Sequence, residues 1–168
     1  QEIEQKFVEV HFGDKFKALG KLLDTYKDGP VIVFCNTRRQ TIDLDRMLWG
    51  HGYSAGALHG DQDQEQRFKI LESFRTAEVR ILVCTDVASR GLDIDDVSLV
   101  VNYEIPDDED SYVHRIGRTG RANKTGVAIS LVSRRDRGSW EKIQRTVKVQ
   151  MERIGRPQGG SRPSYCDW

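Results

Sequence analysis

The 168-residue sequence predicts an α/β fold, a doubly wound parallel sheet with helices on both faces. Short apolar runs rich in β-branched residues recur along it, at Val31 to Cys35, residues 80 to 84, Val97 to Val101 and Val127 to Val132. Apart from Arg80, Ser98 and Ser130 they are apolar instead of alternating, as strands covered on both faces are. Between them lie segments with apolar residues at helical spacing, the alternation that builds a parallel sheet.

Each element follows from local chemistry. Ile3 to Val10 reads as an opening strand. Asp14 stands where it can cap a helix whose Phe16, Leu19, Leu22, Leu23 and Tyr26 fall on one face. After the strand Val31 to Cys35, Thr37 is placed to cap a second helix with Ile42, Leu44, Met47 and Leu48 as its apolar positions, and Gly52 ends it. Residues 53 to 58 and 80 to 84 make two more strands around a helix carrying Phe68, Leu71 and Phe74. Val97 to Val101 and Val127 to Val132 complete the sheet. One domain is expected over residues 1–154. Residues 155–168, rich in Gly, Pro and Ser, are expected to form a flexible tail.

Bulk properties agree with a single core. Lys plus Arg and Asp plus Glu both number 26, giving zero formal net charge, but the distribution is uneven. Residues 1–110 hold 13 basic against 22 acidic side chains and residues 111–168 hold 13 against 4, so the two parts carry −9 and +9. A basic face that attracts polyanions fits this asymmetry. Cys35, Cys84 and Cys166 lack metal-ligand spacing, and no metal site is expected. The first two lie in apolar runs and read as reduced core thiols of an intracellular, cytoplasmic or nuclear protein. The longest apolar runs are far too short to span a bilayer.

The most informative stretch is Tyr112 to Arg121, Tyr-Val-His-Arg-Ile-Gly-Arg-Thr-Gly-Arg. Arg115, Arg118 and Arg121 recur every third residue, so Arg115 and Arg118 are expected on one face of a short helix, with Arg121 free to swing beyond a Thr-Gly break. Planar guanidinium forks suit phosphate oxygens. A merely solvated basic helix would not need Gly117 and Gly120 within the arginine run.

This stretch resembles the last motif of the DEAD-box RNA helicases. Thr85 to Ile94 (Thr-Asp-Val-Ala-Ser-Arg-Gly-Leu-Asp-Ile) resembles the family's motif V, and Val31 to Thr37 its motif IV. His59-Gly60 followed by Gln64 and Arg67 is similar to the QxxR element. Asp96 to Tyr103, with Pro106 after it, is similar to the strand between motifs V and VI. Glu104 stands where the family more often has Asp.

The resemblance implies a RecA-like helicase C-terminal domain that closes with an N-terminal lobe on ATP and single-stranded RNA. It implies catalytic roles for Arg118 and Arg121, nucleotide contacts from Gly91 and Asp93, with Asp93 on the ribose, and interlobe coupling by Arg90, His114 and Arg115. RNA backbone contacts are implied for Asn36, Thr37, Gly60, Gln64, Arg67, Thr85 and Asp86, without base specificity. From the residues alone, Thr37 reads equally as a cap only or as a cap that also meets phosphate, since a helix N-terminus does both.

A Gly-x-x-x-x-Gly-Lys-Thr loop and an Asp-Glu-Ala-Asp sequence do not occur. Gly13 to Lys21 imitates the first, but six residues separate its glycines and Leu22 replaces the hydroxyl that would hold magnesium. Asp107 to Asp110 imitates the second with its acids in the wrong order. The expected reading is thus one half of a helicase core, inactive as an ATPase alone, with ATP and Mg2+ held mainly by the other lobe. Two alternatives stand beside it: a non-catalytic lobe docking a protein regulator, and half of a DNA helicase. Arg156 and Arg162 of the tail would add weak RNA affinity, and Trp168 reads as a partner anchor or an added remnant.

Overall fold

The computed structural model describes residues 2–120, 125–147, 151–155, 157–158 and 162–163. Seven parallel strands form one sheet: β1 (Ile3–Glu9), β2 (Val31–Phe34), β3 (Ala55–Leu58), β4 (Ile81–Cys84), β5 (Leu99–Asn102), β6 (Gly126–Val132) and β7 (Glu152–Ile154). Their order is β3-β4-β2-β5-β6-β1-β7. The helices are α1 (Lys15–Thr25), α2 (Arg38–Gly50), α3 (Gln64–Arg75), the single turn α4 (Asp86–Ser89), α5 (Glu109–Ile116) and α6 (Arg137–Thr146).

All four residues of β2, β3, β4 and β5 are buried. Strand residues alternate between two cores. Val31, Val33 and Cys35 pack with Leu19, Leu22 and Leu23 of α1 and with Leu44 and Leu48 of α2. Ile32 and Phe34 pack on the opposite face with Phe74 of α3, Ala88 of α4, Tyr112 and Ile116 of α5, and Trp140 and Ile143 of α6.

This arrangement follows from right-handed crossovers. The chain moves one way along the sheet from β1 through β2 to β3, placing α1 and α2 on one face. From β3 onward it moves the other way, placing α3 to α6 on the other face. The loop after β2 therefore leaves toward one face, while the loops after its neighbours β4 and β5 leave toward the other. Such divergence opens a crevice at the carboxyl ends of the strands.

Thr37 caps α2 by accepting the Gln40 backbone N–H, and Gly52, at φ +83°, follows the C-cap His51. Asp14 is the N-cap of α1, though its side chain makes no cap hydrogen bond. Met47 and Phe68, expected in the core, are 40% and 64% exposed. In α2 the buried positions are Thr41, Leu44 and Leu48, so Met47 lies beside the stripe. In α3 the inward direction runs through Arg67, Leu71 and Phe74, and the roughly 100° step per residue turns Phe68 outward. Cys35 and Cys84 are buried free thiols, and Cys166 lies outside the described residues. Of the expected tail, Pro157–Gln158 pairs antiparallel with Arg162–Pro163, while Arg156 and Trp168 lie outside the described residues.

Candidate functional site

The crevice is filled by one side chain. Arg115, in the last turn of α5, is 1% exposed, and all five of its N–H groups are bonded. Nε and Nη2 donate to the two carboxylate oxygens of Asp86 at 2.8 Å each. Nη2 also donates to Asn36 Oδ1 at 2.7 Å, and Nη1 donates to Asn102 Oδ1 at 3.2 Å and to the Glu104 carbonyl at 2.7 Å. The guanidinium carbon lies 5.2 Å from the centre of the Phe34 ring. Five donors in a fixed fork leave no desolvated N–H without a partner, which is the condition for burying a cation tolerably.

The partners of Arg115 come from the ends of β2, β4 and β5. Asn36 is held further: its N–H donates to Glu104 Oε1 at 2.7 Å and its side-chain amide donates to the Ile105 carbonyl at 2.9 Å. Asn102 in turn donates to Ser130 Oγ of β6 at 3.0 Å. This corrects the expectation that Arg115 is presented to an anion beside Arg118. The helix stops at Ile116 with Gly117 as its C-cap, so Arg115 turns inward and Arg118 falls in the following turn.

Arg118 holds the loop that follows α4. Its Nη1 donates to the carbonyls of Leu92 and Ile94 at 2.7 and 3.0 Å, and its Nη2 donates to the Ser89 carbonyl at 2.8 Å. Its own carbonyl accepts the Val97 N–H at 3.1 Å, and Thr119 Oγ1 donates to the Val97 carbonyl. Between these anchors Gly91 adopts φ +79°, which a side chain would strain, and a Cβ there would meet nothing within 4 Å. Gly120 has a structural reason instead: at φ +91°, a Cβ would come within 3.2 Å of Ile3 and the Glu2 carbonyl. That need, and not anion binding, accounts for a glycine in the arginine run.

Arg90, Gly91, Asp93, His114 and Arg118 line one cleft of about 580 Å3, whose floor includes Phe34 and Arg115. Arg90, Asp93 and His114 are exposed. Arg121 lies outside the described residues.

The residues expected on RNA occupy the ends of β2, β3 and β4, with Gln64 and Arg67 on α3, which follows β3. Asn36, Thr37, Gly60 and Gln64 are exposed, and Thr85 accepts the Ala88 N–H as the cap of α4. Arg67 is half-buried and donates to the Ala88 carbonyl at 3.0 Å, tying α3 to α4. Asp86, expected on RNA, spends both oxygens on Arg115. Sequence reasoning missed Asn102 and Lys15. Lys15, inside the false phosphate loop, is 4% exposed and donates to the Tyr103 carbonyl at 2.9 Å and Asp136 at 3.3 Å.

Burial pushes the Cys84 thiol up to about 12 even with Arg115 and Arg118 nearby. Burial, and next the Glu104 carboxylate, raise Cys35. Neither thiol is a nucleophile here. Among the described residues no three His, Cys, Asp or Glu side chains come together to hold a metal ion.

A family model described as "Helicase conserved C-terminal domain" matches residues 14–123. The E. coli DEAD-box protein SrmB, solved bound to the regulator of ribonuclease activity A, superposes with a TM-score of 0.86 at 34% identity, covering 91% of each chain. This chain is a helicase C-terminal domain of the DEAD-box family. The DEAD-box ATP-dependent RNA helicase CshA of Geobacillus kaustophilus is 48% identical over 92% of the chain. S. cerevisiae Dbp5 bound to RNA and ADP BeF3 matches with a TM-score of 0.84 at 34% identity, over 90% of this chain and 41% of that one. The chain spans about a third of the length of the CshA relative. Among the described residues no helix of this DEAD-box domain is long and apolar enough to cross a membrane.

Proposed function

We propose that this domain is the C-terminal lobe of an ATP-dependent RNA helicase, which closes with an N-terminal lobe on ATP and single-stranded RNA to unwind short duplexes or remodel RNA–protein complexes. One observation carries the reading: Arg115 joins Asn36 and Asp86, at the ends of strands that would meet RNA, to the floor of the cleft that would meet nucleotide. A movement at either side is felt at the other through bonds shorter than 3 Å. Because both ligands favour the closed state, their coupling is reciprocal.

The cleft suits ATP. Gly91 leaves room for close approach, Asp93 offers an exposed carboxylate to a ribose hydroxyl, and Arg118 lies within the same wall. The nucleotide supplies the bond whose hydrolysis resets the cycle, with Mg2+ held by the other lobe. Arg118 and Arg121 stabilise the negative charge that spreads during phosphoryl transfer, and an arginine delivered from a second element contributes on the order of a thousandfold or more in rate. To do so Arg118 exchanges some of its carbonyl partners when the lobes close. Arg90, His114 and Arg115 transmit the closure, while Asn36, Thr37, Gly60, Gln64, Arg67 and Thr85 grip the RNA backbone. Asp86 acts on RNA through Arg115 and the α4 turn.

A second reading, docking of a protein regulator on this lobe, is favoured by one finding. SrmB was solved with the regulator of ribonuclease activity A, and Dbp5 with Gle1 and IP6. The deciding experiment uses the two-lobed helicase carrying this chain. Arg121→Ala should lower RNA-stimulated ATP turnover by at least about a hundredfold and leave nucleotide binding nearly intact. Equal losses in both would make Arg121 structural.

A further inference from the structure

The strand order sets the ends of β2, β5, β6 and β1 side by side along the carboxyl edge. The last two carry chemistry that belongs neither to the cleft nor to the clamp loops. Past β1 the chain makes a 3-10 turn, Phe12–Asp14, where the Phe12 side chain is 55% exposed. Past β6 a second such turn, Arg134–Asp136, leads into α6 and leaves Arg134, Arg135 and Arg137 exposed. The Arg135 guanidinium carbon stands 4.2 Å from the centre of the Phe12 ring, a stacking distance. Asp136, the acid within this run, is occupied by Lys15 at 3.3 Å and by the Ser133 N–H and hydroxyl at 2.9 and 2.8 Å. The three arginines therefore face solvent with their charge uncompensated by it.

The patch is fixed to the clamp. Lys15 joins Asp136 to the Tyr103 carbonyl, and Glu104 beside it holds the Asn36 N–H. Three strand spacings, roughly 14 Å, separate the ends of β1 and β2. An arginine already laid on an aromatic ring surrenders less rotamer freedom on binding than a free one. Guanidinium planes are surfaces on which unstacked bases rest, and neighbouring arginines suit phosphates.

We propose that Phe12 and Arg135 form a stacking platform for a base of the RNA strand where it leaves the clamp, with Arg134 and Arg137 on the adjoining phosphates. This rests on the RNA reading of the clamp and extends the bound strand beyond it. The platform adds length-dependent affinity, whereas the clamp loops supply the part common to all lengths.

The test uses the full-length two-lobed helicase, with a non-hydrolysable ATP analogue for affinities and ATP for turnover. One single-stranded RNA is the shortest that binds, and two others extend it by several nucleotides at the 5′ or the 3′ end. The unmutated protein should gain on the order of tenfold in affinity from extension at one end only. Arg135→Ala and Phe12→Leu should each abolish most of that gain while keeping short-strand affinity and short-strand ATP turnover. Arg135→Lys, which keeps charge without the plane, should lose stacking but retain the salt dependence. A gain that survives in both Arg135→Ala and Phe12→Leu overturns the platform, as does equal weakening on all three strands. Altered turnover with an unchanged length gain places the patch against the other lobe and also overturns it. An unmutated protein with no nucleotide-dependent affinity for any strand overturns the clamp reading itself.

Discussion

Arg115 and Asp86 face each other in a two-point pair, both bonds at 2.8 Å, with the arginine side chain fully buried. A fork matched to a carboxylate in this way is something a lysine cannot copy. The pair lies where the two helical layers of the domain diverge, so it braces the fold as well as the site.

Removing one partner should therefore be costly. Arg115→Ala should destabilise the domain by about 3–5 kcal/mol, since Asp86 is left half-buried without its counter-charge. Arg115→Lys, which keeps the charge but offers three donors to five acceptor sites, should cost less than that while still destabilising. Urea unfolding of the domain measures this. A loss below about 1 kcal/mol in Arg115→Ala would mean that water substitutes for the guanidinium.

The loop from Ser89 to Val97 hangs on Arg118 by three side-chain bonds and one backbone bond. Arg118→Ala should speed amide hydrogen exchange around Gly91 and Asp93 by at least about tenfold while strand amides stay protected. Unchanged exchange there would separate Arg118 from loop order and leave only a role toward nucleotide.

Asp93 is assigned to the ribose. Asp93→Ala should weaken ATP in the two-lobed protein, and should weaken a nucleotide lacking the contacted hydroxyl far less. Equal weakening of the two would remove the ribose contact.

Arg67 is assigned to a phosphate. On a single strand each neutralised phosphate contributes about 0.7 to the slope of log affinity against log salt. Arg67→Ala should flatten the slope by about that amount, equally across unrelated sequences. A changed base preference, or an untouched slope, would mean that Arg67 acts only through the Ala88 carbonyl.

Asp108 caps α5 by accepting the Ser111 N–H at 2.8 Å, and that bond holds its carboxyl below the ordinary value of 3.8. A depressed value means that the cap stabilises the fold above the ordinary value and is lost as pH falls through the lowered one. Asp108→Ala should cost about 1 kcal/mol near neutrality. The difference should vanish in strong acid, as followed by unfolding at a series of pH values; a gap constant down to the lowest pH would refute the charged cap.

The strands were legible because burial on both faces leaves mostly apolar residues, as Val31 to Phe34 and Ile81 to Cys84 illustrate. Thr37 and Gly52 were legible because capping is local chemistry. Met47 and Phe68 misled because spacing defines an apolar arc without saying which of its flanks is covered. α6 escaped notice because its buried residues, Trp140 and Ile143, sit among charges, and β7 because an edge strand with two exposed residues of three carries little signal. The motif residues of the site could be named, but nothing in the sequence signalled that, unlike Arg118, Arg115 turns inward and is buried. Its partners lie 13, 29 and 79 positions away, and only the crossing of the chain at β2 brings them together.

The ring of acceptors around Arg115 has a consequence for anyone altering this domain. Three side chains and a main-chain carbonyl divide five donors with none to spare. A substitution at Asn36, Asp86 or Asn102 therefore leaves an Arg115 N–H without its acceptor and disturbs the other acceptors as well, so it would reach both of the proposed ligands. Changes there must come in concert, so the two proposed binding roles would be hard to engineer, or to drift, one at a time.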